Sequence, residues 1–278
     1  MAWPGHCLYG SGNRRSDTHG PMIHPLRQTK FPEEHPDPII SYVGTEPAGS
    51  VTRPHAHGRA QLFHILRGSV TVATQGGSFV VPPERAIFIP PGVLHHSSYH
   101  TETEVRFLYM RPEGLPAMPE EPFVVQVTAL LRELILAFMA CAPDYDANDA
   151  TGRLAAVLVD QIATSHVAPL HLPIPEEPRL REAIRPLIDD PAAGLSAADL
   201  AGRANLSLRS FERHFPAATG LSFRAWRRQA KLMKAVEWLS QGMAVGEVSD
   251  RLGYEGPSAF VATFKKSFGV TPGRYFSR

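Results

Sequence analysis

The chain has 278 residues, 28 Lys and Arg against 27 Asp and Glu, and a formal charge of +1 at pH 7. That length predicts two domains, and 43% hydrophobic with 20% charged residues is the composition of a globular protein, not of a disordered or fibrous one. No apolar run reaches the roughly 18 residues of a membrane span, no secretory apolar core opens the sequence, and Cys7 and Cys141 are too few for a disulfide framework; the expectation is a cytoplasmic protein without a membrane partner.

The small net charge conceals an asymmetry. From Arg179 onward there are 16 Lys and Arg against 9 Asp and Glu, and before it 12 against 18. A basic C-terminal part beside an acidic N-terminal part is the footprint of a polyanion-binding domain joined to something else.

In chain order, residues 1–35 are rich in Gly, Pro, His and Ser with little apolar periodicity, and disorder is expected there. Met22 is an alternative start. From Ile39 to about Arg111 the apolar period is two, with short runs at Val80-Val81 and Ile87-Phe88-Ile89 bounded by Gly or Pro, which predicts an all-β barrel or sandwich. Helical spacing follows through Phe123, Val127, Leu130, Leu131, Leu134 and Phe138, predicting a helix over 123–142, and a second helix is predicted over 150–166. Leu130, Leu134 and Phe138 recur at four-residue steps, a stripe suited either to a partner helix in a homodimer or to the barrel itself.

The β region carries a constellation. His55 and His57, two apart on a strand, point to one face, with Gln61 and His95 following. Gly49, His55, His57, Gln61 and Gly68, then Pro90-Pro91-Gly92-Val93-Leu94-His95, resemble the two motifs of the cupin fold. The resemblance implies that His55, His57, Gln61 and His95 occupy the metal-ligand places, with Gln61 where the family has Glu. Imidazoles there suit a divalent transition metal such as Mn, Fe, Co, Ni, Cu or Zn. The alternative is a metal-free barrel of hydrogen-bonded histidines that takes an organic effector. Glu84 stands where the second motif begins with Gly, and Tyr99 where it ends in Asn. His64, His96 and His100 are read as structural.

Residues 167–178 hold four prolines and are expected to form an extended linker. Beyond them a unit is written twice. Leu200, Ala204 and Leu206 match Val248, Leu252 and Tyr254 at an offset of 48; Phe211, Phe215, Gly220, Ser222 and Trp226 match Phe260, Phe264, Gly269, Thr271 and Tyr275 at 49. Each copy has helix-turn-helix punctuation. Ser196 with Asp199 approximates a capping box, and Ser207 caps the next helix. Leu208, Phe211 and Phe215 are expected on its buried side. In the second copy Gly253 suits a left-handed helix end, Pro257 a first helical turn, and Phe260, Phe264 and Phe268 a buried stripe. Ser222 to Gly242 between them is predicted to be one long helix.

These residues resemble the AraC/XylS family of bacterial transcription regulators, above all in Gly253-Tyr254-Glu255, Phe260, Phe264-Lys265-Lys266 and Phe268-Gly269-Val270-Thr271-Pro272-Gly273-Arg274-Tyr275. The resemblance implies an α+β protein: an N-terminal cupin barrel with dimerisation helices over 36–166, and an all-α tandem helix-turn-helix domain over 179–278. It implies double-stranded DNA as partner, with a small-molecule effector and contact with RNA polymerase. It places Arg209, Glu212 and Arg213 at bases from the first module and Ser258, Val261 and Ala262 from the second; Lys265 and Lys266 are phosphate candidates. A cupin dioxygenase or isomerase carrying a DNA-binding domain is the rival reading, weakened by Gln61 and by two DNA modules an enzyme does not need.

Overall fold

The computed structural model describes residues 35–276 apart from 143 and 166. The expected disorder over 1–34 and the start at Met22 lie outside the described residues. Of the stretch up to about residue 35 only His35 is described, and its carbonyl accepts from Arg59 and Arg111.

Strands β1 (Ile39–Glu46), β2 (Ala60–Arg67), β3 (Val70–Thr74), β4 (Gly77–Val81), β5 (Arg85–Ile89), β6 (His95–Tyr99), β7 (Thr103–Met110), β8 (Phe123–Gln126) and β9 (His171–Pro173) pair antiparallel in two sheets, ordered β1-β7-β2-β5-β8 and β6-β3-β4-β9. The period of two sorts β2 cleanly. Phe63 and Ile65 join Val72, Phe79, Ile89 and Phe107 between the sheets, while Ala60 and Leu62 face outward into a second cluster. That outer face is covered by α1 (Ala129–Met139) and α2 (Ala150–Ala163), through Leu131, Ile135, Phe138, Leu158 and Ile162.

Three expectations need correction here. Residues 123–126 are strand, not helix: the run Phe-Val-Val pairs with β5, and the helix begins only after Thr128, whose hydroxyl accepts from Leu131 N–H at 3.2 Å. The stripe splits, since Leu130 is 55% exposed whereas Phe138 is 5% and belongs to the barrel side. The linker over 167–178 is not free chain, because β9 lies inside it and pairs with β4. Gly77 permits this approach; a Cβ there would stand 2.1 Å from the His171 ring and 2.7 Å from the Leu172 carbonyl.

The C-terminal half is helical: α3 (Pro178–Asp189), α4 (Ala197–Arg203), α5 (Leu208–Thr219), α6 (Phe223–Ser240), α7 (Val245–Arg251), α8 (Pro257–Phe268) and α9 (Pro272–Phe276). Ser196 and Asp199 form the capping box, and Ser207 and Ser222 cap α5 and α6. The repeat extends to backbone conformation. Asn205 and Gly253, 48 apart, both take the left-handed turn between the paired helices, at φ 54° and 66°. Leu200, Phe211, Phe215 and Trp226 of one unit and Val248, Leu252, Phe260 and Phe264 of the other are wholly buried around α6. Leu208 departs from its expected place, being 43% exposed at the start of α5, and Phe268 is only half-buried.

The two halves share one apolar cluster, running from Val72 and Phe79 through Leu170 and Leu172 to Trp226 and Val236. Trp226 Nε1–H donates to the Pro173 carbonyl at 2.7 Å, Gln229 donates to the His171 carbonyl, and the Arg85 guanidinium lies 4.7 Å over the Tyr275 ring. Among the described residues no helix is long and apolar enough to cross a membrane.

Candidate nucleic-acid interface and the barrel histidines

The two units each present one helix outward. On α5, Phe211 and Phe215 are buried while Arg209, Glu212 and Arg213 are exposed on the opposite side. Arg209 and Arg213 are one turn apart, so two guanidinium forks share a face; Arg213 Nη2–H donates to His214 Nε2 at 3.2 Å. On α8, Phe260 and Phe264 are buried, and Ser258, Ala262, Lys265 and Lys266 are exposed. Val261 is only half-buried and packs against the core, so its outward contribution is a methyl edge. The two faces differ in chemistry: α5 offers charged hydrogen-bonding groups, and α8 offers small ones until the two lysines in its last turn. Neither set is covered by the sensor half, which meets the helical half through α6, α9 and β9.

The barrel brings the other predicted set together. His55 and His95 exchange both backbone hydrogen bonds at 2.9 Å. Their ring centroids are 4.4 Å apart, His57 lies 5.1 Å from His95, and His55 lies 6.2 Å from His57. Each Nδ1 meets a backbone carbonyl: His55 that of Arg53 at 2.8 Å, His57 that of Arg59 at 2.5 Å, His95 that of Val93 at 2.9 Å. Burial above all, with the neighbouring imidazoles of His55, His57 and His96, pushes His95 down to about 4. His95 is therefore neutral at neutral pH.

Gln61 also sits at this end. Its Oε1 meets His57 Nε2 at 3.2 Å, and its Nε2–H donates to the Tyr109 hydroxyl at 3.0 Å. Tyr109, whose ring is 5.4 Å from His57, was not among the residues singled out from sequence. Its signal was present: it stands opposite Gln61 in the β2–β7 register, two and four residues beyond the inward Phe107 and Val105.

The donor set fits a metal only in part. Orientation of each imidazole by a carbonyl is what a metal-ligating His has. Yet both nitrogens of His57 face oxygens, so this ring offers no free lone pair unless the Gln61 amide turns. Among the described residues no three His, Cys, Asp or Glu side chains are grouped to hold a metal ion. As it stands, the end of the barrel is a hydrogen-bonding site of three imidazoles, an amide and a phenol.

His64, expected to point away from the site, does so, facing the α1 side at 1% exposure. His96 is half-buried on β6. His100 follows β6 and is not an isolated side chain: its Nε2 meets Thr71 Oγ1 at 2.7 Å. Glu84, where a glycine was expected, holds φ 61°, the conformation glycine would take without strain. Its carboxylate pairs with Arg132 on α1. Tyr99 is 3% exposed beside Phe63 in the barrel interior.

Known proteins share both halves. Residues 38–164 match the model of the AraC-like ligand binding domain, and residues 200–278 that of a helix-turn-helix domain. The HTH-type transcriptional regulator NimR of Escherichia coli K12 is 32% identical over 259 residues, 92% of this chain and 94% of that protein. Among solved structures, apo ToxT K231A from Vibrio cholerae aligns with 87% of this chain and 98% of its own at 12% identity and a TM-score of 0.36. The DNA-binding domain of AdpA, in complex with a target DNA, aligns with 35% of this chain and 88% of its own at 28% identity and a TM-score of 0.33. An AraC-like ligand-binding half, a helix-turn-helix half and a near full-length regulator relative give one conclusion: the chain belongs to the AraC/XylS family of transcriptional regulators, a DNA-binding regulator with an effector-binding domain and not an enzyme.

Proposed function

We propose that the two helix-turn-helix units read successive major-groove turns on one face of double-stranded DNA, and that a small molecule at the histidine end of the barrel sets how strongly they do so. The observation that carries the DNA reading is the outward face of α5, where Arg209, Glu212 and Arg213 stand exposed opposite a wholly buried Phe211 and Phe215. Arg209 and Arg213 would take guanine O6 and N7 through bidentate contacts. Glu212 would accept from cytosine N4. Ser258, Val261 and Ala262 would touch thymine methyls and neighbouring edges, and Lys265 and Lys266 phosphates. An α6 of 18 residues spans about 27 Å, which suits modules that meet grooves one helical turn apart.

The effector would be held by hydrogen bonds at His55, His95 and Tyr109; a ring whose Nδ1–H goes to a carbonyl presents Nε2 as an acceptor, so a ligand that carries hydroxyl or amine donors suits this set. A divalent transition metal held by His55, His57 and His95, with Gln61 as a weak fourth ligand, is a second reading, favoured by the three Nδ1–carbonyl contacts. Three neutral imidazoles and an amide leave the ion's charge uncompensated, so an anionic effector would complete its shell. Metal content of untagged protein, beside a His55→Ala/His57→Ala variant, separates these readings; equal substoichiometric metal in both leaves the organic effector alone.

The protein would work in the cytoplasm as a homodimer joined through α1 and α2, where Leu130 and Val157 stand 55% and 47% exposed. It would regulate by contact with RNA polymerase. The Transcriptional activator NphR of Rhodococcus, 32% identical over 46% of this chain and 38% of that protein, favours activation. Footprinting on the DNA upstream of the protein's own coding sequence, with and without metals and candidate ligands, tests the whole reading. Protection of two sites about one helical turn apart is expected; no sequence preference at moderate salt would refute it.

A further inference from the structure

Five residues separate the barrel histidines from the helical half. His95 opens β6, and its backbone is tied to His55 by two hydrogen bonds of 2.9 Å. From there β6 is paired with β3 along its whole length, from His95 opposite Thr74 to Tyr99 opposite Val70. His100 follows at once. Its N–H donates to the Ser69 carbonyl at 3.3 Å, its Nε2 meets Thr71 Oγ1 at 2.7 Å, and its Nδ1 stands 3.7 Å from Glu237 Oε1. Glu237 lies on α6, in the DNA-binding half, and is only 8% exposed.

Glu237 is connected onward. Its Oε1 accepts from Lys234 Nζ at 2.8 Å. Lys234 lies 5.5 Å over the Trp238 ring, and Arg251 of α7 lies 5.7 Å from the same ring. Arg251 is itself paired with Glu247 at 2.8 Å. The chain of contacts therefore ends on the helix that leads into the second recognition helix.

The apolar packing of α1 and α2 does not offer this connection among the described residues. Both helices belong to a cluster with Leu62, Ala86, Phe88 and Leu108 on the outer face of the other sheet, and that cluster contains no residue of α3 to α9.

We propose that His100 is the positioning residue through which occupancy of the barrel histidines reaches the DNA-binding modules, by way of β6 and the buried Glu237 of α6. The proposal rests on the barrel end being the effector site. A ligand that pulls His95 displaces a strand whose far end touches α6; it then favours one placement of the modules, to the extent that it binds the two placements unequally.

Hydrogen exchange followed by mass spectrometry on the full chain tests this with no effector present. His95→Leu is expected to speed exchange over residues 234–241 by about 3-fold or more, leaving 129–139 unchanged. In a His100→Ala background the same substitution is expected to add nothing over 234–241. An equal response in both backgrounds, a response over 129–139 instead, or none over 234–241 would overturn the proposal. Should His95→Leu fail to fold, His100→Ala and Glu237→Gln form the cycle: non-additive effects over 234–241 support the contact, and additive ones overturn it. Failure of the effector reading is seen separately, as unaltered metal and ligand binding in the His55→Ala/His57→Ala variant.

Discussion

His64 is 1% exposed, and neither of its ring nitrogens has a hydrogen-bond partner among the described residues. Burial first, then the nearby guanidinium groups of Arg106 and Arg132, hold it down to about 3. The folded protein therefore keeps it neutral where the unfolded chain, near the ordinary 6.5, takes up a proton. Its stabilisation is intact above pH 6.5 and is lost as pH falls toward 3, with a slope of up to about 1.4 kcal/mol per pH unit. His95, held near 4, acts in the same direction. Urea denaturation at pH 7 and pH 5 is expected to show lower stability at pH 5, and His64→Leu to reduce that difference; an unchanged difference would remove His64 as the cause. At the DNA face, Arg213→Ala is expected to cost about 1–3 kcal/mol at cognate sites and to relax preference at one base. A uniform loss across all sequences would make it a phosphate contact. Residue identity told part of this in advance. Paired imidazoles at His55 and His57 are visible from their spacing of two, although the structure holds them by an isolated bridge at His55 and not on a strand, whereas Tyr109 is brought to them by a register that pairs residues 48 apart in sequence.

At the scale of elements, α1 and α2 divide their side chains between two tasks. Leu131, Ile135 and Phe138 cover the sheet, and Leu130 and Val157 face away from it. A Leu130→Glu/Val157→Glu variant is expected to keep its stability within about 0.5 kcal/mol per site and to sediment as a monomer. Phe138→Ala, by contrast, is expected to lose about 3–5 kcal/mol. If the double Glu variant keeps the association state of the parent, the dimer is made elsewhere. The helix-turn-helix pairs were legible because their apolar positions recur at offsets of 48 and 49, and because the caps at Ser196 and Ser207 and the left-handed Gly253 are local signals. Two strands were not. In β8 the apolar residues run straight on to the apolar face of α1, so one helical period absorbs both. β9 has only three residues, the last of them a proline, and only pairing with β4 makes them a strand.

At the scale of the whole molecule, the sensor and DNA-binding halves are joined by apolar packing and by the Trp226–Pro173, His100–Glu237 and Arg85–Tyr275 contacts. A shared core predicts one cooperative unfolding transition in calorimetry. Two transitions, one matching the isolated C-terminal half, would mean that the halves fold independently. The exposed recognition faces also predict that residues 179–278 alone keep salt-weakened DNA affinity, because their Lys and Arg displace counterions from phosphates. Titrations between low and moderate salt measure that slope. The fragment is expected to be less stable than the same residues in the full chain, since it leaves the Trp226 N–H without the Pro173 carbonyl.

Strand β9 also fixes where the protein can be cut and rejoined. A chimera that grafts this sensor onto another DNA-binding domain would need a seam, and residues 167–178, with four prolines, look suited to it by composition. A splice at their start would take away β4's edge partner and with it the buried Leu172, which packs in the cluster of Phe79 and Val80. A splice just before Pro178 would keep the sheet whole, but the incoming domain would need a donor in the place of Trp226 Nε1. Transplantable sensors from this scaffold therefore carry two requirements, the strand on one side of the seam and an indole on the other.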